Sequence, residues 1–470
     1  MKHLYLIAAC LILYANAGFA QSKQGANYNF SLADCINYAY EHQDSVKNAI
    51  LDVKSAEYKV KETTGIGLPQ ISGSATFQDY LKSSTILFPD FISPAIYGVL
   101  IKEKVSGNNG VITKIPDGVG GYQSVSLTQK YSNNFGLDVS QIIFDGTYLV
   151  GLKAIRTFKE LSQKSLVNTK ISTNVNVTKA YYQVLVSDEQ IKLLDANIAQ
   201  LKQQLDQTTQ SNKQGFVEKI DVQRLEVQYN NLMTNRENVV RLLVLNYEML
   251  KFQMGMPIGD NLTLTDKLEN VKLDENTVES SIDTGFYHKR IEYSLAETNI
   301  ALNQLDLKRK KAQYLPSLIA FGNTSALFQS NAIGDLYSAN YPSTYVGLKL
   351  SVPIFNGFQR KYQVKQTEIN VLKAQNESDN LKNALSLQAH AALITYTNSL
   401  KSLNNQKRSR ELAEEVLRVS KIKYQQGVGS SLEVTQAQTG LETADNQYIQ
   451  SLYDALVSKV DMDKAYGKIN

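Results

Sequence analysis

The chain has 470 residues, with 49 Lys and Arg against 45 Asp and Glu, a net charge of +4, 27 Tyr and no Trp. Its basic residues are scattered rather than clustered, which argues against a nucleic-acid surface. Four histidines with none paired at ligand spacing, and two cysteines, exclude a multi-cysteine metal centre.

The chain opens as an export signal. Lys2 and His3 precede an apolar run from Leu4 to Tyr14. Ala15-Asn16-Ala17 or Gly18-Phe19-Ala20 then supplies small residues for cleavage, giving a signal over 1–20 and a mature start near Gln21. Ile7-Ala8-Ala9-Cys10 has the form of a lipoprotein box, but the apolar run continues past Cys10, which argues against lipidation. Cys35, the cysteine left in the mature chain, reads as a small half-buried helix residue, so no intrachain disulfide is expected. No later stretch reaches the roughly 18 apolar residues of a membrane-spanning helix.

Ser31-Leu32-Ala33-Asp34 has the form of a capping box and predicts one helix to about Glu62, ended by Leu68-Pro69. Gln70 to Gln78 alternates, with Ile71, Gly73, Ala75 and Phe77 on one side, the pattern of a strand with one apolar face. Residues 86–121, rich in Pro, Gly and Asn, read as an irregular loop. Asn134 to Gln141 alternates again, with Phe135, Leu137 and Val139 on the apolar face and Asp138 opposite. From Gly146 to Lys213 there is no proline and one further glycine, which predicts a helix of roughly 100 Å. Past Gly215, the heptad positions Val222, Leu225, Tyr229, Leu232, Arg236, Val239, Leu243, Asn246 and Leu250 hold seven residues of nine able to pack, the mark of a helix returning along the first.

The pattern then repeats. Phe135–Gly146 returns as Val346–Gly357 at a shift of 211, and Gln214-Gly215-Phe216 with Asp221 returns as Gln426-Gly427-Val428 with Glu433 at a shift of 212. Val346, Leu348, Leu350 and Val352 alternate with Gly347, Lys349 and Ser351, and a second long helix is predicted from Gly357 to Gln425. Its return carries Val434, Ala437, Leu441, Ala444, Tyr448, Ser451 and Ala455, on the whole smaller residues that allow closer approach and an inward bend of the second hairpin. The expected organisation is a signal peptide over 1–20, a first repeat over 21–260, a linker of short polar turns over 261–280 and a second repeat over 281–470.

These elements specify an internally duplicated α+β membrane protein. Strands of about ten residues match a tilted bilayer span. An open sheet in lipid leaves its edges unpaired, and four strands are too few to enclose an interior, so several chains must pool theirs. Asp138 and Lys349 then face a watery lumen, and the alternating apolar residues face lipid. No Gly-rich phosphate loop or nucleophile elbow is present, and His390, set among alanines, reads as a helix-packing residue. No catalysis, cofactor or metal is therefore expected. A periplasmic coiled-coil adaptor would share the hairpins but not the alternating strands, and a cell-surface binding protein would rest on residues 86–121. Six methionines without a Met or His stripe argue against a dedicated copper or silver exporter.

The duplicated order, the Leu-Pro steps at 68–69 and 315–316, the exits Phe144-Asp145-Gly146 and Phe355-Asn356-Gly357, the Gln-Gly tips and the opening Phe30-Ser31-Leu32-Ala33-Asp34-Cys35-Ile36 together resemble the TolC-like outer-membrane efflux proteins. The resemblance implies a homotrimer in the outer membrane. Twelve strands, four per chain, would form one transmembrane β-barrel, continued by a long α-helical coiled-coil periplasmic tunnel. It implies a periplasmic adaptor and an inner-membrane pump as partners, in efflux or type I secretion. It places adaptor docking at the tips, Gly215, Phe216 and Val217 with Gly427, Val428 and Gly429, although plain turns would look the same. It places an acidic gate on the last helix. There this chain has Glu433 and Gln436 where the family pattern has Asp at both, with Asp221 and Arg224 as first-repeat counterparts. Local chemistry offers a second reading, since Ser430-Ser431-Leu432-Glu433 has capping-box form and Asp221 sits in a first turn.

Overall fold

The computed structural model describes residues 27–108, 110–126, 128–268, 273 and 285–469. The expected export signal, Cys10 and most of the expected linker lie outside the described residues. The chain divides into two compact units, Met1–Val60 with Ala154–Leu307 and Gln366–Asn470, and Lys61–Lys153 with Lys308–Lys365.

The first unit begins with strand β1 (Asn27–Phe30) and helix α1 (Leu32–His42). The capping box is formed: the Asp34 backbone N–H donates to Ser31 Oγ at 3.3 Å, and the Ser31 N–H donates to Asp34 Oδ2 at 3.0 Å. One helix to Glu62 was the expectation, but α1 stops and α2 (Asp44–Gly65) starts afresh. Gln43 is the reason: its backbone is extended and its side-chain oxygen accepts the Ser45 backbone N–H, so it caps a new helix instead of continuing the old one. Cys35 is fully buried, not half-buried, beside Ala39, Val177, Tyr181, Leu250 and Met254, and burial pushes its thiol up to about 12.

Hairpin one is α4 (Gly146–Lys213) and α5 (Lys219–Met254); hairpin two is α7 (Gln359–Gln425) and α8 (Ser431–Ala465). Leu194, Leu201 and Leu205 pack on Leu225, Leu232 and Val239, the heptad seam read from sequence. The expected linker is not all turns. Its start forms β8 (Asn261–Leu264), which pairs in parallel with β1, and Asp266 accepts from the Tyr181 hydroxyl at 2.7 Å and the Leu32 N–H at 3.0 Å. Arg290 is buried and held by Glu292 at 2.8 Å and the Ala465 carbonyl at 2.9 Å. His390 is exposed on α7, so it does not pack as expected.

The second unit is built on an antiparallel sheet in the order β10-β9-β7-β2. Its strands are β2 (Gln70–Asp79), β7 (Tyr131–Phe144), β9 (Ser317–Ser330) and β10 (Asn340–Ser351). The register sets Ile71, Val139, Gly322 and Val346 in one row, and Gly73, Leu137, Thr324 and Thr344 in the next. That face also carries Phe135, Leu348 and Leu350. The opposite face carries Ser72, Asp138 and Asn323, with Lys349 two strands away. Ring pairs on the apolar face are Phe77 with Tyr131, Phe135 with Phe328, and Phe328 with Tyr337, while Phe321 and Tyr345 pair on the opposite face. Val352 falls just past the end of β10.

Residues 86–121 are not an irregular loop. They hold most of β3 (Thr85–Pro89), helix α3 (Ile92–Lys102) and the short pair β4 (Ser106–Gly107) and β5 (Gly110–Val111). β3 pairs with β6 (Tyr122–Ser126). The Pro and Gly content that suggested a loop marks the turns between these pieces. Helix α6 (Ile291–Ala312) leads toward β9.

Candidate functional site at the hairpin tips

The tips are built alike. At Gly215 (φ 83°) and Gly427 (φ 73°) the backbone turns left-handed, where a side chain would be strained. The next N–H folds back in each: Phe216 N–H to the Ser211 carbonyl at 3.0 Å, Val428 N–H to the Lys423 carbonyl at 3.0 Å. Phe216 is 81% exposed and Val428 78%, so each tip presents one apolar side chain to water. Val217 is partly covered, and its carbonyl accepts from Asn212 Nδ2 at 2.7 Å. A Cβ at Gly429 would lie 2.9 Å from Lys423 Cβ, so only glycine fits where the second tip turns back on α7.

The gate candidates separate into two groups. Glu433 and Gln436 are exposed on α8, in a stripe continued by Gly440, Thr443, Gln447, Gln450 and Asp454. Asp221 does not join them. Its side chain is 20% exposed, and it accepts from the Ser431 hydroxyl of the other hairpin and from Arg224 Nη1 at 3.5 Å. At Glu433 half a capping box is formed: its N–H donates to Ser430 Oγ at 3.2 Å, but its carboxylate does not return the bond as Asp34 does.

Further polar ties join the hairpins. Gln228 Nε2 donates to Thr439 Oγ1 at 3.4 Å. Buried Asp445 accepts from Asn197 of α4 at 2.7 Å and from Arg410 of α7 at 2.7 Å. Burial, then the charge of Asp445, pushes the Glu442 carboxyl up. Two turns before Asp445 on α8, Gln438 is 1% exposed with neither amide atom partnered. Between the tips a groove of about 530 Å³ is lined by Gln204, Thr208, Phe216, Lys421, Tyr424 and Gly429. Burial lowers the Lys421 ammonium to about 8. Ser431, Lys421 and Asp445 were not singled out from sequence. Nothing in a heptad count marks them, because Ser431 and Asp445 matter through contact with a helix distant in the chain and Lys421 through its burial.

The model of the family described as outer membrane efflux protein matches residues 35–252 and 293–468. This chain belongs to the outer membrane efflux protein family. The efflux protein is 21% identical over 355 residues to outer membrane protein TolC of Salmonella enteritidis, covering 74% of this chain and 72% of that one. It is 22% identical over 364 residues to the probable efflux pump outer membrane protein TtgC of Pseudomonas putida, covering 76% and 73%. Its fold matches the crystal structure of the Campylobacter jejuni CmeC outer membrane channel with a TM-score of 0.70 at 15% identity, over 96% of this chain and 90% of that one. The efflux protein is an outer-membrane channel for tripartite efflux or type I secretion.

Proposed function

We propose that the channel is a homotrimer that pools twelve strands into one transmembrane barrel and six hairpins into a helical tunnel. The observation that carries this is the open sheet. β2 and β10 are its edges, strand directions alternate across it, and β2 of one copy therefore meets β10 of the next antiparallel, as closure requires. One face of that sheet is apolar and ringed by aromatics, suited to outer-membrane lipid; the other, with Asp138 and Lys349, faces the lumen. Asn323 Nδ2 donates to Asp138 at 2.8 Å, which keeps the carboxylate hydrogen-bonded there. Outside the barrel, exposed Leu242, Leu245, Met249 and Phe252 form a stripe on α5 that a neighbouring copy would cover.

In this reading the repeats 21–260 and 281–470 each supply two strands and one hairpin. The polar stripe of α8 lines the tunnel, so trimer symmetry sets three Glu433 and three Gln436 around its axis. Asp221 acts differently, holding the hairpins together through Ser431. The tips receive a periplasmic adaptor bound to an inner-membrane pump, with Phe216 and Val428 as its apolar anchors. No step requires catalysis or a cofactor.

The test combines an unheated denaturing gel with the Leu348→Arg variant. The expected result is an outer-membrane trimer that separates on boiling. Leu348→Arg should lose about 2–4 kcal/mol of barrel stability if the residue lies near the midplane. A chain that stays monomeric, or a variant that inserts like the parent, would overturn the barrel assignment. A cysteine at Asp138 or Lys349 should react with a small aqueous thiol reagent.

A further inference from the structure

Helix α3 (Ile92–Lys102) lies in the connection from β2 to β7, and no residue of it is buried. One side is partly covered by its own connection: the Asp90 N–H donates to the Gly121 carbonyl at 2.6 Å, Gln123 Nε2 donates to Asp90 at 3.1 Å, and Pro94 lies against Gly120. The other side is a stripe of Phe91, Ile92, Ile96 and Val99, all more than half exposed and without a charge among them. Apart from the exposed Lys102 in its last turn the helix carries no charge, and so apolar a helix is stable in water only when covered. The equivalent connection of the second repeat, residues 331–339, has no such helix, but it exposes Ile333 at 58% and Tyr337 at 61%.

The strand order brings these two surfaces together. The connection holding α3 leaves from the outer end of β2, one edge of the sheet. The turn 331–339 feeds β10, the other edge. When edges of two copies pair antiparallel, the end of β2 at Asp79 and the start of β10 at Asn340 lie on the same rim of the barrel. We infer that α3 docks on the 331–339 turn of the adjacent copy, its stripe covering Ile333 and Tyr337, as a clamp across each subunit boundary. The occupant is a second copy of this chain because the contact continues the strand pairing. A helix resting on lipid would present charged side chains on its water side, and the partly covered side of α3 carries Ser93, Pro94, Tyr97, Leu100 and Ile101 instead. This inference rests on the pooling of strands proposed above.

The test is disulfide trapping in outer-membrane preparations of the full chain, with the pairs Ile96→Cys plus Tyr337→Cys and Ile92→Cys plus Ile333→Cys. Cys35 is buried with its thiol raised to about 12, and so stays out of the reaction. Covalent trimers on a boiled, non-reducing gel are expected from at least one pair and from none of its single variants. Three results would overturn the clamp while leaving the trimer standing. These are cross-linking only within a chain, cross-linking by Ile96→Cys alone, which sets α3 helices against each other on the axis, or quenching of a probe at Ile96→Cys by a lipid-borne nitroxide. A parent chain that forms no trimer would instead overturn the strand pooling, and the clamp with it.

Discussion

Hairpin one and hairpin two arise from one duplicated pattern, yet they are packed differently. Along the tip-side part of α5 the buried apolar positions form a seam of large side chains, Leu225, Leu232 and Val239, set against leucines of α4, while Leu250 and Met254 near its end pack with α1. On α8 burial extends over most of the helix and takes in Ser431, Gln438, Asp445, Ser451 and Ser458 along with Ala437, Ala444 and Ala455. Helix α8 touches α7 on one side and hairpin one on another, through Asp221–Ser431, Gln228–Thr439 and Asn197–Asp445. A helix squeezed from two sides along most of its length needs small residues for close approach, whereas the apolar seam of α5 rests on α4 and can use leucine, its meeting with α8 being made by polar side chains such as Gln228. The alanines of α8 are therefore accounted for by two-sided burial, and an inward bend is not needed to explain them.

The comparison breaks most visibly at its largest side chains. Leu232 is fully buried, so Leu232→Ala should cost about 2–5 kcal/mol and raise hydrogen exchange along α4 and α5 while leaving α7 slow. Its counterpart in hairpin two is probed in the opposite direction: Ala444→Leu should overpack and cost about 1–3 kcal/mol. Equal losses spread over both hairpins would mean that the two seams are one cooperative unit.

The long elements were legible because their signals are local. Period two placed β2, β7 and β10, the proline-free run placed α4 to the residue, and the shift of 211 to 212 residues placed their copies. What escaped depends on partners far along the chain. β8 is a strand only because β1 lies beside it, and α1 ends only because Gln43 caps α2. At the candidate site, Glu433 and Asp221 look equivalent in sequence, each an acid in a first turn. Their difference comes from Ser431, which reaches Asp221 across the seam and leaves Glu433 exposed.

Gln438 sharpens the contrast at a smaller scale. Its buried amide has no partner, a cost that two-sided packing imposes and that α5 avoids except at Gln228 Oε1. Gln438→Leu should stabilise hairpin two by about 1–3 kcal/mol, read as slower exchange in α8. Because an opening hairpin would hydrate the amide, the variant should also lengthen closed dwell times in single-channel records. Faster exchange would show that the amide is paired in the assembled channel.

Lys421 makes the seam pH-dependent. Burial lowers its folded pKa from 10.5 to about 8, so between those values the unfolded chain holds a proton that the folded chain has lost. Stability from this group therefore rises as pH climbs through that window, and below it the buried charge is borne in full. Relative to Lys421→Met, the parent should gain about 1–2 kcal/mol between pH 7.5 and pH 10. Parallel stability curves for the two proteins would place the Lys421 ammonium in water.

Glu433 carries the smallest expected change in stability and the most direct bearing on gating. With the return half of its capping box absent, Glu433→Gln removes only a favourable charge near a helix N-terminus, about 0.3–1 kcal/mol. Hairpin one offers the control, since Asp221→Asn alters an acid that points into the seam rather than along the exposed stripe. In the trimer proposed above three carboxylates would face one another across the tunnel and attract divalent cations, and Gln436 one turn further adds no charge. Glu433→Gln should weaken block by divalent cations in planar bilayers with trimer melting nearly unchanged. Asp221→Asn should do the reverse, loosening the tie to Ser431 and lengthening open times without altering the block. If the two variants exchanged these effects, the stripe on α8 would not line the tunnel, and the division of labour between the hairpins would have to be reversed.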